Sequence, residues 1–177
     1  MQEADAAMAG PVFTTQRLIL RPRCLDDLDA VCAMDTDPAV MAHIWDGSVP
    51  EPVAHRRKLA ERFAVDHGPG LGVWSVFPRE DAGRFLGWVA LHPLPGWDDI
   101  EIGWRFLQEN WGRGYASEAA AALMHHGLAT LTLPRIVAVL RDANLRSRRV
   151  CERLGMKDAG PCEAYGGPCV LYVRERG

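Results

Sequence analysis

Trp111-Gly112-Arg113-Gly114-Tyr115-Ala116 stands between a strand-like run and a long alanine-rich run, and its reading decides the fold. Glycines at 112 and 114 let the backbone bend where other residues clash, and let it approach a ligand closely. A helix that starts at about Ala116 leaves its first N–H groups unpaired and pointing outward. Together these features make a seat for a phosphate or pyrophosphate. A tight strand-to-helix connection without a ligand would use the same residues. Two nucleotide motifs can be checked directly. A P-loop needs Gly-x-x-x-x-Gly-Lys-Ser/Thr, and no lysine is present here. A dinucleotide turn needs Gly-x-Gly-x-x-Gly, and Ser117 holds the third glycine position.

Upstream of the turn, Ile100, Ile102, Trp104 and Phe106 alternate with Glu101, Gly103 and Arg105. This period of two predicts a strand with one apolar face. Val73–Phe77 and Phe85–Leu91 are rich in strand formers and complete an antiparallel meander with it. Downstream, Ala116 to about Leu131 predicts a long helix with a stripe through Ala116, Ala119, Leu123 and Leu128. Ile136–Leu140 is wholly apolar, as a strand buried on both faces requires. Asn144–Leu154 predicts a helix stopped by Gly155. Two short strands, split by Gly166-Gly167-Pro168, are expected to finish the chain. Towards the N-terminus, Arg17–Arg21 predicts a strand, with helices over about 25–35 and from Pro50/Pro52 onward. Asp37-Pro38 is read as a break. Residues 1–13 are expected to be a loose leader and 14–177 a single domain. Hairpins leading into a strand–helix–strand crossover imply an α+β layered fold with a mixed sheet.

Bulk properties narrow the function. The chain has 177 residues, enough for one domain with its own core. Its net charge of -3 gives no general attraction to nucleic acid. The five cysteines form no Cys-x-x-Cys pair, which speaks against a zinc or thioredoxin-type motif. No stretch reaches the roughly 20 apolar residues of a membrane span. The expectation is a cytoplasmic protein with reduced thiols, without metal, nucleic-acid or membrane partners.

The sequence resembles the GNAT N-acetyltransferases, and within them the RimJ/RimL branch. Gly114 and Ala116 match the two small positions of the family's Gln/Arg-x-x-Gly-x-Gly/Ala loop, while Trp111 departs from its first position. Trp-Gly-x-Gly-Tyr-Ala-x-Glu-Ala is similar to the RimJ/RimL form. Three further anchors are Thr15–Arg21, Glu101-Ile102-Gly103-Trp104, and Asn144-Leu145-Arg146-Ser147 with Glu152–Met156. The resemblance spans about residues 14–175. It implies a GNAT-like mixed, mostly antiparallel central sheet with helices on both faces. It also implies acetyl-CoA as co-substrate and an amine acceptor, either a protein N-terminus or a small molecule.

The resemblance assigns the pyrophosphate to Trp111, Gly112, Arg113, Gly114, Tyr115 and Ala116. Phe106, Leu107 and Gln108 would pair with the pantetheine arm by strand addition. Asn144 and Ser147 match positions that approach the cofactor, although Asn144 would also cap its helix. One arginine of the 146–149 run could meet the cofactor's 3′-phosphate, though most of that run reads as a solvated face. The reaction needs an amine to lose a proton before attack and a thiolate to gain one on leaving. Glu101 is the candidate base; an ion pair with a surface arginine is the alternative. Cys151 stands where many members place a tyrosine acid. As a candidate acid it competes with solvent and with a plain core role. His125-His126 lacks a third metal ligand. Trp45, Trp88 and Trp97 would line an acceptor pocket or pack a core. A non-catalytic acyl-CoA-binding module would keep the glycine turn and need neither Glu101 nor Cys151. The oligomeric state stays open, and a homodimer is compatible with everything above.

Overall fold

The computed structural model describes residues 10–177. Residues 1–9 of the expected leader lie outside the described residues. The remainder of that leader is built in: Phe13–Thr14 forms a short strand, β1, and the Pro11 carbonyl accepts from the Trp74 indole at 2.7 Å.

An eight-stranded sheet organises the chain. Strands β2 (Leu18–Pro22), β3 (Gly72–Pro78), β4 (Gly87–Pro93) and β5 (Ile100–Phe106) follow β1 in antiparallel order. Next come β6 (Arg135–Leu140), β8 (Gly167–Glu175) and, at the edge, β7 (Lys157–Ala164). The mixed α+β sheet therefore agrees with the sequence reading. Its one parallel contact, between β5 and β6, is a single register pair, Glu101 with Val137. Beyond that pair the strands part, and the β5 edge from Gly103 to Phe106 has no strand beside it on the β6 side.

The period of two in β5 sorts its side chains as expected. Ile100, Ile102, Trp104 and Phe106 face the main core, against helix α4 (Tyr115–His125) and helix α5 (Leu145–Arg153). On the opposite face α1 (Leu28–Met34) and α3 (Pro52–Phe63) form a second core with Val40, and Trp88 and Phe85 pack against it.

Three elements differ from expectation. Asp37-Pro38 starts a short helix, α2 (Pro38–Met41), because the Asp37 carboxylate accepts from the Ala39 N–H at 2.8 Å. The long helix widens into a π-type turn at His126–Thr130. There Gly127 lies so close to Ile136 that a Cβ would meet its Cδ1 at 2.5 Å, and His126 bonds the Gly70 carbonyl at 2.9 Å. The last two strands are long, eight and nine residues. Pro161 and a bulge at Asp158/Gly160 obscure β7 in the sequence, yet an edge strand tolerates both.

One polar cluster fixes where the glycine turn sits. Glu118, in the first turn of α4, accepts from Thr15 Oγ1 at 2.6 Å, from the Arg17 backbone N–H at 2.8 Å and from Arg17 Nε at 2.7 Å. Arg17 Nη1 donates to the Arg113 carbonyl at 2.9 Å, and its guanidinium lies 4.9 Å from the Tyr115 ring centroid. Burial works against the charge of Glu118, but the Thr15 and Arg17 hydrogen bonds prevail and hold its carboxyl below the ordinary value of 4.5. A depressed carboxylate stabilises the fold above that value, and the contribution is lost as pH falls through the folded-state value. Glu118→Gln should therefore cost about 1–2 kcal/mol in urea unfolding at neutral pH, given charge-assisted bonds that are partly exposed. The difference from the wild type should shrink as the pH is taken below 4.5.

Candidate active site

The gap between β5 and β6 is the centre of the site. Trp104 and Ser147 span it, with the indole N–H donating to Ser147 Oγ at 3.3 Å. Asn144 caps α5 through a bond from the Ser147 N–H at 3.1 Å, so capping and cleft lining coexist in one residue. Two cavities meet along Trp104, Arg105, Asn144 and Ser147.

The first, of about 270 Å³, runs along the glycine turn and the start of α4. Gly112 and Gly114 adopt φ of 76° and 79°, the left-handed region that favours glycine. A Cβ on Gly112 would meet nothing within 4 Å, so the turn faces open space. Ser117 lines this cleft and carries a buried hydroxyl without a partner. Arg146, Arg149 and Arg153 line it as well, and Arg146 stacks on Trp111 at 4.3 Å. Unpaired amides at the start of an eleven-residue helix, an orphan hydroxyl and three guanidinium groups suit a pyrophosphate with a further phosphate. The residues therefore fit the acidic end of coenzyme A.

Most expected cofactor residues come together here: Phe106, Trp111, Gly112, Gly114, Tyr115, Ala116, Asn144 and Ser147 line the cleft. Three do not. Leu107 donates its N–H to the Leu86 carbonyl at 3.0 Å and packs on the second core. Gln108 turns out into a 3₁₀ turn, and exposed Arg113 gives its carbonyl to Arg17. The open strand edge thus lies a little earlier than expected, at Gly103–Phe106. The arginines of α5 are the main residues the sequence reading undervalued. Their spacing at 146, 149 and 153 is i, i+3, i+7, one helix face, and that signal was available.

The second cavity, of about 810 Å³, lies on the α1/α3 face of the sheet. Glu101 lines it, 5% exposed, at the last point where β5 and β6 touch. It forms no ion pair with an arginine. Instead it accepts a hydrogen bond from the Tyr165 hydroxyl. Burial pushes the Glu101 carboxyl above its ordinary value, opposed by the Tyr165 bond, by His92 across the strand pair and by the Val139 backbone. Trp45 and Trp88 line this cavity, whereas Trp97 does not. Tyr165 and Trp45 both hold left-handed backbones, φ 51° and 48°, at its mouth. No sequence pattern marks Tyr165, since its role comes only from the β7–β8 turn that brings it to Glu101.

Cys151 lies elsewhere. It is fully buried in the main core and lines neither cavity. Burial pushes its thiol up to about 12. This is the place of a packing residue, because α5 turns position 151 towards the core under β6. His126 packs edge-on to Phe13 at 5.1 Å. Among the described residues no three His, Cys, Asp or Glu side chains are grouped to hold a metal ion, and no helix is long and apolar enough to cross a membrane.

Comparison with known proteins agrees with this geometry. Residues 17–157 match the Acetyltransferase (GNAT) domain family. The chain is 31% identical over 154 residues to YnaD of Bacillus subtilis (strain 168), an uncharacterized N-acetyltransferase, covering 84% of each chain. A GNAT-family acetyltransferase structure from Bacillus anthracis is 26% identical, with a TM-score of 0.78 over 94% of this chain and 99% of that one. RimL, a ribosomal L7/L12 alpha-N-protein acetyltransferase solved with coenzyme A, shares the fold at 18% identity. Its TM-score is 0.74 over 93% of this chain and 98% of that one. A sheet that opens beside a glycine turn, matched over most of its length by these sequences and folds, places the chain in the GNAT family of acetyltransferases.

Proposed function

We propose that the protein moves an acetyl group from acetyl-CoA directly to a primary amine, with Glu101 as the base. The observation that carries the reading is the coincidence at the β5–β6 pair. The carboxylate at that pair lines the larger cavity, and the two cavities meet three residues further along the same strand.

Acetyl-CoA supplies an acyl group activated as a thioester. Gly112, Gly114 and Ser117, with Arg146, Arg149 and Arg153, would hold its phosphates. The free edge at Gly103–Phe106 would align its arm by backbone hydrogen bonds, as in strand addition. Glu101, in an environment that raises its proton affinity, takes a proton from the ammonium of the acceptor, directly or through water. Tyr165 orients the carboxylate. The leaving thiolate takes its proton from solvent, because Cys151 reaches neither cavity. The acceptor is a small-molecule amine or a protein N-terminal amine.

Two substitutions separate binding from chemistry. Gly114→Glu puts a charged side chain at a left-handed position, where its Cβ would meet Arg17 Nη2 at 3.4 Å. Calorimetry should then show acetyl-CoA affinity down by about 100-fold or more, from strain and lost anion seating. Glu101→Gln should leave that affinity intact and lower kcat by about 10²–10⁴, the usual share of a general base. Unchanged turnover in Glu101→Gln would remove Glu101 from the mechanism.

The pH profile gives a third check. A base works deprotonated, so activity should rise with pH through a limb placed above the ordinary Glu value of 4.5. Tyr165→Phe removes a bond that favours the carboxylate, so the limb should move to higher pH. A limb that stays in place would separate Tyr165 from Glu101 in function.

A further inference from the structure

The acceptor cavity carries more positive charge than the fold neutralises. Asp27 is taken up by Arg21, through bonds of 2.6 and 2.9 Å, and by Ser75 at 2.8 Å. Asp35 is taken up by Arg105 at 2.7 Å and His55 at 2.8 Å. Of the acids that line the cavity besides Asp35, Asp66 is exposed and accepts from the Gly68 N–H, and Glu101 holds Tyr165. Arg23, Arg62 and Arg141 also line this cavity. Among the described residues none of the three has a carboxylate within 4.0 Å.

Each guanidinium has a neutral partner instead. Arg23 lies on the Phe63 ring, 4.0 Å from its centroid, and Arg62 lies 5.0 Å from that of Trp45. Arg141 donates to the carbonyls of Trp45, Pro168 and Tyr165, and to Cys169 Sγ. Burial lowers Arg23 to about 10; Asp27 pulls the other way, and Arg105 and Arg62 add like-charge repulsion. A half-buried guanidinium beside two others is costly unless an anion joins it.

Two donors in the same wall have no acceptor. Trp88 and Arg105 face each other across β4 and β5, with the guanidinium 5.2 Å from the indole ring centroid. Trp88 Nε1 and Arg105 Nε are both buried donors without an acceptor. Surplus cations and surplus donors together call for a ligand rich in anionic oxygen.

We propose that the cavity selects primary amines that also carry an anionic oxygen group, a carboxylate or a phosphate. The amine is directed to Glu101 and the anion to Arg23 and Arg62. This inference rests on the acceptor amine entering the cavity of Glu101. Polyamines, which bring only positive charge, are disfavoured by the same arginines.

The test compares matched acceptors by release of free CoA. β-Alanine is set against β-alaninamide, O-phosphoethanolamine against ethanolamine, and spermidine serves as the polycation. The two anionic members distinguish carboxylate from phosphate. At least one anionic member should exceed its neutral partner by about ten-fold in kcat/KM, mostly through KM. Arg62→Gln and Arg23→Gln should each reduce that ratio by about five-fold or more. Arg62 is exposed, so its variant tests the idea even if Arg23→Gln fails to fold. Equal or better turnover of the neutral amines or spermidine, or ratios unchanged in a folded variant, would overturn the inference while leaving acetyl transfer standing. If no acceptor turns over, calorimetry on the CoA-loaded protein decides. Binding of an anionic amine that weakens in Arg62→Gln supports the charge selection even as the transfer reading falls. Absence of any such binding overturns it.

Discussion

The site depends on a parallel strand pair that is almost not made. β5 and β6 meet at Glu101 and Val137 and then separate. Parallel strands need a long crossover, and here the crossover contains the glycine turn and α4. The chain that leaves β5 therefore passes the start of α4 before it returns as β6. One topological step leaves a strand edge unpaired and sets the glycine turn and the start of α4 beside it. A fully paired β5 would offer neither a cleft nor the junction along Trp104 and Ser147. Backbone groups left unpaired inside a sheet are costly unless another group hydrogen-bonds them.

The turn is held from outside the crossover. Thr15 and Arg17, at the other end of the sheet order, reach the first turn of α4 through Glu118. Two left-handed glycines on either side of Arg113 leave a turn with little intrinsic preference, since glycine loses much entropy on ordering. The ion pair and the Arg113 carbonyl supply what the glycines lack. Glu118 sits beside the glycine turn, and its charge is offset by Arg17 and Thr15.

Much of this is legible in the amino-acid sequence. The alternation in Ile100–Phe106 gave the correct face to every residue of β5, because a half-buried strand must alternate. The glycine turn was legible because only glycine accepts its backbone angles. The pairing of Thr15 and Arg17 with Glu118 was not, although all three lay in stretches that carry the family resemblance. Such a contact spans about a hundred residues and leaves no local period. Cys151 shows the opposite failure. By i, i+3 and i+4 steps it shares a helix face with Asn144 and Ser147, but that face runs from the cleft at Ser147 into the core at Cys151. Tyr165 was invisible for a simpler reason: a residue at the tip of a hairpin gains a role only when the hairpin is folded over its target.

Trp45 and Tyr165 are aromatic residues held in a backbone region that costs each about 1 kcal/mol or more. They belong to segments 120 positions apart, yet the carbonyls of both accept from one Arg141 guanidinium. Their distortions therefore share a single tether. A cation at the end of β6 thus ties together two lips of the entrance that the chain supplies from distant loops.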